Sequence, residues 1–233
     1  QETMEEENNS GKAQEIEANA FASEFLSPPW LIRKHISLQG WERSDLGNQQ
    51  NVYQLSLRLG VSYQAMCVSL FNNRFISTDA KEGLLAQTPS EIKRRILGKY
   101  KPEKLAGDVW VLTKNDAELK ILAGPSDILV IRLSQASSAG FSWDINPLHS
   151  LGYAILGDHI EIPAADLIGG EVTRQVVAQG SRQIIDEIAI VETRPWSKSE
   201  VRSRLAVEVD SFGKEEGVSR DSRRIFRKHG CDN

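Results

Sequence analysis

The sequence predicts an α+β chain in two parts, a helical N-terminal segment followed by an antiparallel β-sandwich or barrel. Three observations lead there. Apolar residues recur at helical spacing as far as Leu97. Around Lys101 to Gly107 the period shortens to that of strands. Beyond that point about eight short strand-like runs follow one another, separated by Gly, Pro, Asn, Asp or Ser. Runs spaced by ~10 residues with no helical pattern between them form antiparallel sheets.

Taken in order, Lys12 to Leu26 places Ile16, Ala20, Phe21, Phe25 and Leu26 on one helical face, and "SPPW" at Ser27 to Trp30 stops that helix. The stretch from Val52 to Asn73 reads as helix with a turn at Gly60, its apolar residues being Leu55, Leu59, Val61, Ala65, Val68 and Leu70. A third helix opens at Pro89 and Ser90 and turns Ile92, Ile96 and Leu97 inward. The strands are "DVWVLTK", "AELKILAG", "DILVIRLSQ", "FSWDI", "HIEIP", "TRQVVAQ", "IIDEIAIVET" and "RLAVEVDSF". Domains of 1–101 and 102–212 follow, and the charged, aperiodic 213–233 reads as a basic, disordered tail.

Composition narrows the function classes. A chain of 233 residues accommodates two modest cores. Its net charge of −4 supplies no bulk attraction to nucleic acid, although Arg220 to Lys228 is locally basic. No apolar run reaches the ~20 residues of a membrane span, so the chain reads as soluble. Cys67 and Cys231 form no disulfide framework and suit a reducing cytoplasm. The opening "QETMEEEN", without an initiator Met, reads as a segment cut from a longer protein.

Two stretches carry recognition chemistry. In "ASSAGFSW", Ala136 to Trp143, small residues and a glycine precede two aromatics; "LIGG" spans Leu167 to Gly170; "RPW" spans Arg194 to Trp196. Glycine lets backbone approach a partner closely, and a proline-stiffened tryptophan is a rigid anchor. By alternation alone, Phe141 and Trp143 read as core residues of a strand rather than binding residues, and Trp196 either as an exposed anchor or as a lid over the sandwich end. These three stretches, in this order, resemble the loops of the chagasin family of cysteine-peptidase inhibitors over about Asp108 to Phe212. The resemblance implies an immunoglobulin-like antiparallel β-sandwich that pushes three loops into the cleft of papain-like peptidases. The protein-binding positions it carries over are Ser138, Ala139, Gly140, Phe141, Gly169, Gly170, Arg194, Pro195 and Trp196. The family's Pro-Thr-Thr is replaced here by Ser137-Ser138-Ala139, and the first glycine of its second loop by Leu167.

In the helical part, "EIEANAFASEFLSPPW" and "LSLRLGVSYQAMCVSLFN" resemble the ImmA/IrrE family of zinc metallopeptidases over about Gln14 to Ser77. That resemblance implies a third zinc ligand at Glu15, completing two histidines of an upstream His-Glu-x-x-His. His35, His149, His159 and His229 form no such motif, so the chain is read as inactive alone and its parent as the peptidase, with no catalytic residue here. On the blander reading Glu15 is an exposed helix carboxylate and His35 a surface histidine. Family members cleave transcriptional repressors in stress responses. The leading functional reading is therefore the regulatory portion of such a peptidase, its partner a repressor substrate or a peptidase, with the sandwich for recognition or autoinhibition. The alternatives are a non-enzymatic chagasin-type inhibitor and a protein- or DNA-interaction adaptor. The turn at Gly60 between two helices also has helix-turn-helix spacing, but "SYQAMCVSLFNN" offers no Lys or Arg to phosphates before Arg74. That argues against DNA.

Overall fold

The computed structural model describes residues 27–100, 102, 105–161, 170–180 and 183–211. The predicted helix at Lys12 to Leu26, Glu15, Gly169, Cys231 and the tail 213–233 lie outside them. The chain divides into two compact units, Gln1–Gly98 and Lys99–Asn233.

Among the described residues the first unit holds the α-helices α1 (Pro29–Leu38), α2 (Gln49–Leu59), α3 (Tyr63–Asn72), α4 (Thr78–Leu85) and α5 (Pro89–Leu97). "SPPW" begins a helix, because Pro29 sits in the first turn, where the missing N–H would go unsatisfied in any case. Helix α2 is capped by the Asn48 side chain and closed by Gly60 at φ +68°. Ser62 caps α3 by accepting from the Ala65 N–H. Helix α5 starts from a capping box of Thr88 and Glu91, one residue earlier than the start signals suggest. Thr88 holds the Glu91 carboxyl below the usual carboxylate range, chiefly by donating its backbone N–H.

Ile32, Val52, Leu55, Met66, Cys67, Leu70, Leu84, Ile92, Ile96 and Leu97 form this unit's core. Helix α4 escaped sequence reading because it turns only Leu84 inward, too little for an apolar period. Tyr63 donates to the carbonyl of Leu84, tying α3 to α4. The exposed positions of α3 include Gln64, Ala65, Val68 and Asn72, none of them basic.

The second unit is built on two mixed four-stranded sheets, which with the helices makes the chain α+β. One sheet has the order β1 (Val109–Leu112), β3 (Ile128–Gln135), β6 (Val172–Gly180), β5 (Tyr153–Glu161). The other has β2 (Lys120–Leu122), β8 (Ser197–Asp210), β7 (Ile185–Arg194), β4 (Ser142–Asp144). The expectation of purely antiparallel sheets is corrected at two edges: β1 runs parallel to β3, and β2 parallel to β8. A 3-10 turn at Lys114–Asp116 separates β1 from β2, one in each sheet. Alternation in a sequence reports the face of a residue, not the direction of its neighbour.

Two further differences concern lengths. A short helix α6 (Asn146–Ser150), started by Pro147 and anchored by the buried Leu148, stands between β4 and β5 where no helix was expected. Strand β5 begins at Tyr153, well before "HIEIP"; a register shift between Ile155 and Gly157 breaks its alternation. At Gly157 the ring of Tyr100 takes the place of a side chain, since a Cβ there would lie 1.9 Å from Tyr100 Cε1. The Tyr100 hydroxyl is 3.0 Å from His159 Nδ1, and His159 Nε2 is 3.2 Å from Glu161.

The core of this unit draws on both sheets, with Leu112, Val130, Ile131, Val177, Ile188, Ile190, Leu205 and Val207 buried. Trp143 belongs to it, 3% exposed, and its indole N–H donates to the carbonyl of Ser134 across from β4 to β3. Burial of a side chain of that size stabilises by about 4 kcal/mol. The core reading of Trp143 therefore holds.

Candidate functional site

The chain leaves β3 at Gln135 and turns immediately. Ala136 is buried, and Ser137–Ala139 form one 3-10 turn whose N–H groups fold back: Ala139 and Phe141 donate to the Ala136 carbonyl, Gly140 to Ser137. Gly140 completes the turn at φ +77°, a conformation that costs a residue with a Cβ about 1 kcal/mol. This brings Phe141 back inside and leaves Ser137, Ser138 and Ala139 exposed.

The hairpin between β7 and β8 meets this turn. Arg194 pairs with Ser197, so Pro195 and Trp196 form its tip. Trp196 is 74% exposed, yet its ring lies against Gly140 so closely that a Cβ there would be 2.5 Å from Cη2. Arg194 holds the two loops together. Its Nε donates to the Ala139 carbonyl at 3.2 Å, its Nη1 meets Glu200 at 2.9 Å, and its guanidinium stacks 4.5 Å from the Phe141 ring centroid. Phe141, only 8% exposed, is thus the floor beneath Arg194 and presents little surface of its own.

A buried carboxylate fixes the root of the turn. Glu192, fully buried on β7, accepts the Ala136 N–H at 2.8 Å and takes both oxygens to Arg202 Nη1 at 3.0 and 3.1 Å. Arg202 also pairs with Glu171, which accepts from the Ser134 hydroxyl. That hydroxyl first, and Arg202 second, hold the Glu171 carboxyl below the usual carboxylate range. Glu171 follows Gly170, so one network of Ser134, Glu171, Arg202 and Glu192 ties the end of the "LIGG" stretch to the root of the first turn. Gly169 lies outside the described residues.

The structure therefore brings together Ser138, Ala139, Gly140, Phe141, Arg194, Pro195 and Trp196. Sequence reading missed Glu192, Arg202 and Glu171. One signal was present: Glu192 continues the inward alternation of Ile188 and Ile190, and a charge at a core-facing strand position needs buried partners. Glu171 and Arg202 carry no such signal.

Among the described residues no group of three or more His, Cys, Asp or Glu side chains could hold a metal ion, and Glu15 is not among them. No described helix is long and apolar enough to cross a membrane.

No protein-family model matches the sequence, and neither does any curated protein. Among solved structures the chain is similar to the cysteine protease inhibitor EhICP2 from Entamoeba histolytica, at 20% identity and TM-score 0.40 over 44% of this chain and 95% of that one. It is similar to Amebosin at 19% identity and TM-score 0.36, over 43% and 95%. It is also similar to PbICP-C, solved in complex with falcipain-2, at 16% identity and TM-score 0.31, over 47% and 95%.

Proposed function

We propose that the β part of this chain is a chagasin-type, non-enzymatic inhibitor of papain-like cysteine peptidases, an immunoglobulin-like sandwich over about residues 102–212 that acts through one end. The observation that carries this reading is the wedge of Trp196 on Gly140. An indole 74% exposed to water has most of its apolar area left to bury, and its contact with Gly140 and the Arg194 clamp hold it beforehand in one place. Pre-ordered aromatic anchors gain affinity because little side-chain freedom remains to be lost on docking. Ser138, Ala139 and Pro195 accompany it as small, closely approachable surface.

Papain titrated with micromolar amounts of the full chain should lose activity, and Trp196→Ala should weaken inhibition about thirtyfold, a loss of ~2 kcal/mol. Full papain activity at those concentrations, or unchanged inhibition by Trp196→Ala with the fold intact, overturns the reading. The regulatory metallopeptidase reading, with Glu15 as zinc ligand and a repressor as substrate, rests on the sequence resemblance of the helical part alone. No described residue adds to it.

A further inference from the structure

Beside the wedge lies a depression of about 310 Å³ whose lining includes Ser142, Asp144, Asn146, Thr193, Pro195 and Lys198. Pro195 belongs to both features, so a partner that covers Trp196 comes to lie over this hollow. Its polar groups fall into two sets. Asp144 is engaged, accepting the Asn146 N–H at 3.0 Å and the Asn146 amide at 2.7 Å. Arg174, which also lines the hollow, is engaged too: two of its nitrogens meet Asp158 at 2.8 and 2.7 Å and a third donates to the Trp143 carbonyl at 2.6 Å.

The second set is Ser142, Thr193 and Lys198. Ser142 and Thr193 are cross-strand partners on β4 and β7, which places their side chains on one face. Thr193 is only 7% exposed. Among the described residues neither hydroxyl has a hydrogen-bond partner, and the Lys198 ammonium has neither hydrogen bond nor ion pair. Neither hydroxyl is sealed from water, so each is free to turn its proton to an incoming acceptor. Two hydroxyl donors and one ammonium, converging on a hollow whose own carboxylate is already engaged, match a carboxylate.

We propose that this hollow is a subsite for an acidic side chain on the partner, held by Ser142, Thr193 and Lys198 next to the Trp196 wedge. The assignment deepens the inhibitor reading and rests on it for the source of that side chain: the wall of the peptidase cleft. Its chemistry is tested without a peptidase. The ¹⁵N-labelled full chain is titrated with the blocked tripeptide acetyl-Gly-Glu-Gly-amide and, separately, with acetyl-Gly-Gln-Gly-amide.

The glutamate peptide should shift the amide resonances of Ser142 to Asn146, Thr193 and Lys198 saturably. The glutamine peptide should bind at least tenfold more weakly, and Lys198→Gln and Thr193→Val should each weaken the glutamate peptide. Absent shifts, equal binding of the two peptides, or unchanged binding by both variants overturns the subsite. Papain inhibition and its dependence on Trp196 judge the wedge separately, so either proposal can fail while the other stands.

Discussion

Gly140 and Trp196 occupy each other's space: the indole ring fills the position that any side chain at residue 140 would need, with only 2.5 Å between a Cβ there and Cη2. A glycine that sequence reading assigned to close approach by a partner serves first to admit a tryptophan of its own chain. Gly140→Ala should therefore displace the ring as well as strain a left-handed backbone, at a cost of about 1 kcal/mol in stability. Thermal unfolding would fall by roughly 2–4 °C, and papain inhibition should fall with it. A double-mutant cycle with Trp196→Ala separates the terms, because the ring clash vanishes once the indole is gone while the backbone strain stays.

Glu192 is expected to govern the first turn from beneath. Glu192→Ala leaves the Ala136 N–H and Arg202 without their shared acceptor, so stability should fall by about 2 kcal/mol. Glu192→Gln keeps a carbonyl oxygen for Ala136 and should cost less. Urea midpoints of the two variants at equal m-value give the comparison. Equal losses would mean that the charge on Glu192, and not its hydrogen bond to the turn, holds the loop.

Acid should loosen the edges of the two sheets. Hydrogen bonds from Arg174, with its charge next, hold the Asp158 carboxyl below its ordinary 3.8. The folded state thus prefers the ionised form, and the resulting stability is present above that ordinary value and lost as pH falls through the lower folded one. Arg174 spans from β6 to both β5 and the Trp143 carbonyl on β4. Asp158→Asn should lower stability by about 1 kcal/mol at neutral pH and leave it less sensitive to acid below pH ~4. The same decline with pH in wild type and variant would place the titrating group elsewhere.

Cys67 should resist modification in the native protein. It is fully buried on α3, and burial pushes its thiol up to about 11, so little thiolate forms at pH 8. Iodoacetamide labelling followed by peptide mass mapping should find residue 67 unmodified natively and modified in urea. Rapid native labelling there would show that α3 opens locally.

The sequence by itself determined the class of each part and the aromatic turns. The helix start at Pro89 and the αL stop at Gly60 act within a few residues, and the inward alternation of Ile188, Ile190, Leu205 and Val207 follows from the pleat; such short-range physics is legible in one dimension. The "RPW" and "SSAGF" stretches were visible for the same reason, as local departures from strand chemistry. Tertiary structure alone decided which strands are neighbours, that β1 and β2 run parallel to theirs, and that Arg194, Glu192 and Arg202 weld two distant turns into one wedge. Those outcomes depend on the close approach of residues some sixty positions apart in the chain, as between Ala136 and Glu192. No periodicity encodes that meeting, because it is set by how the sheets pack and which buried charges must find partners there.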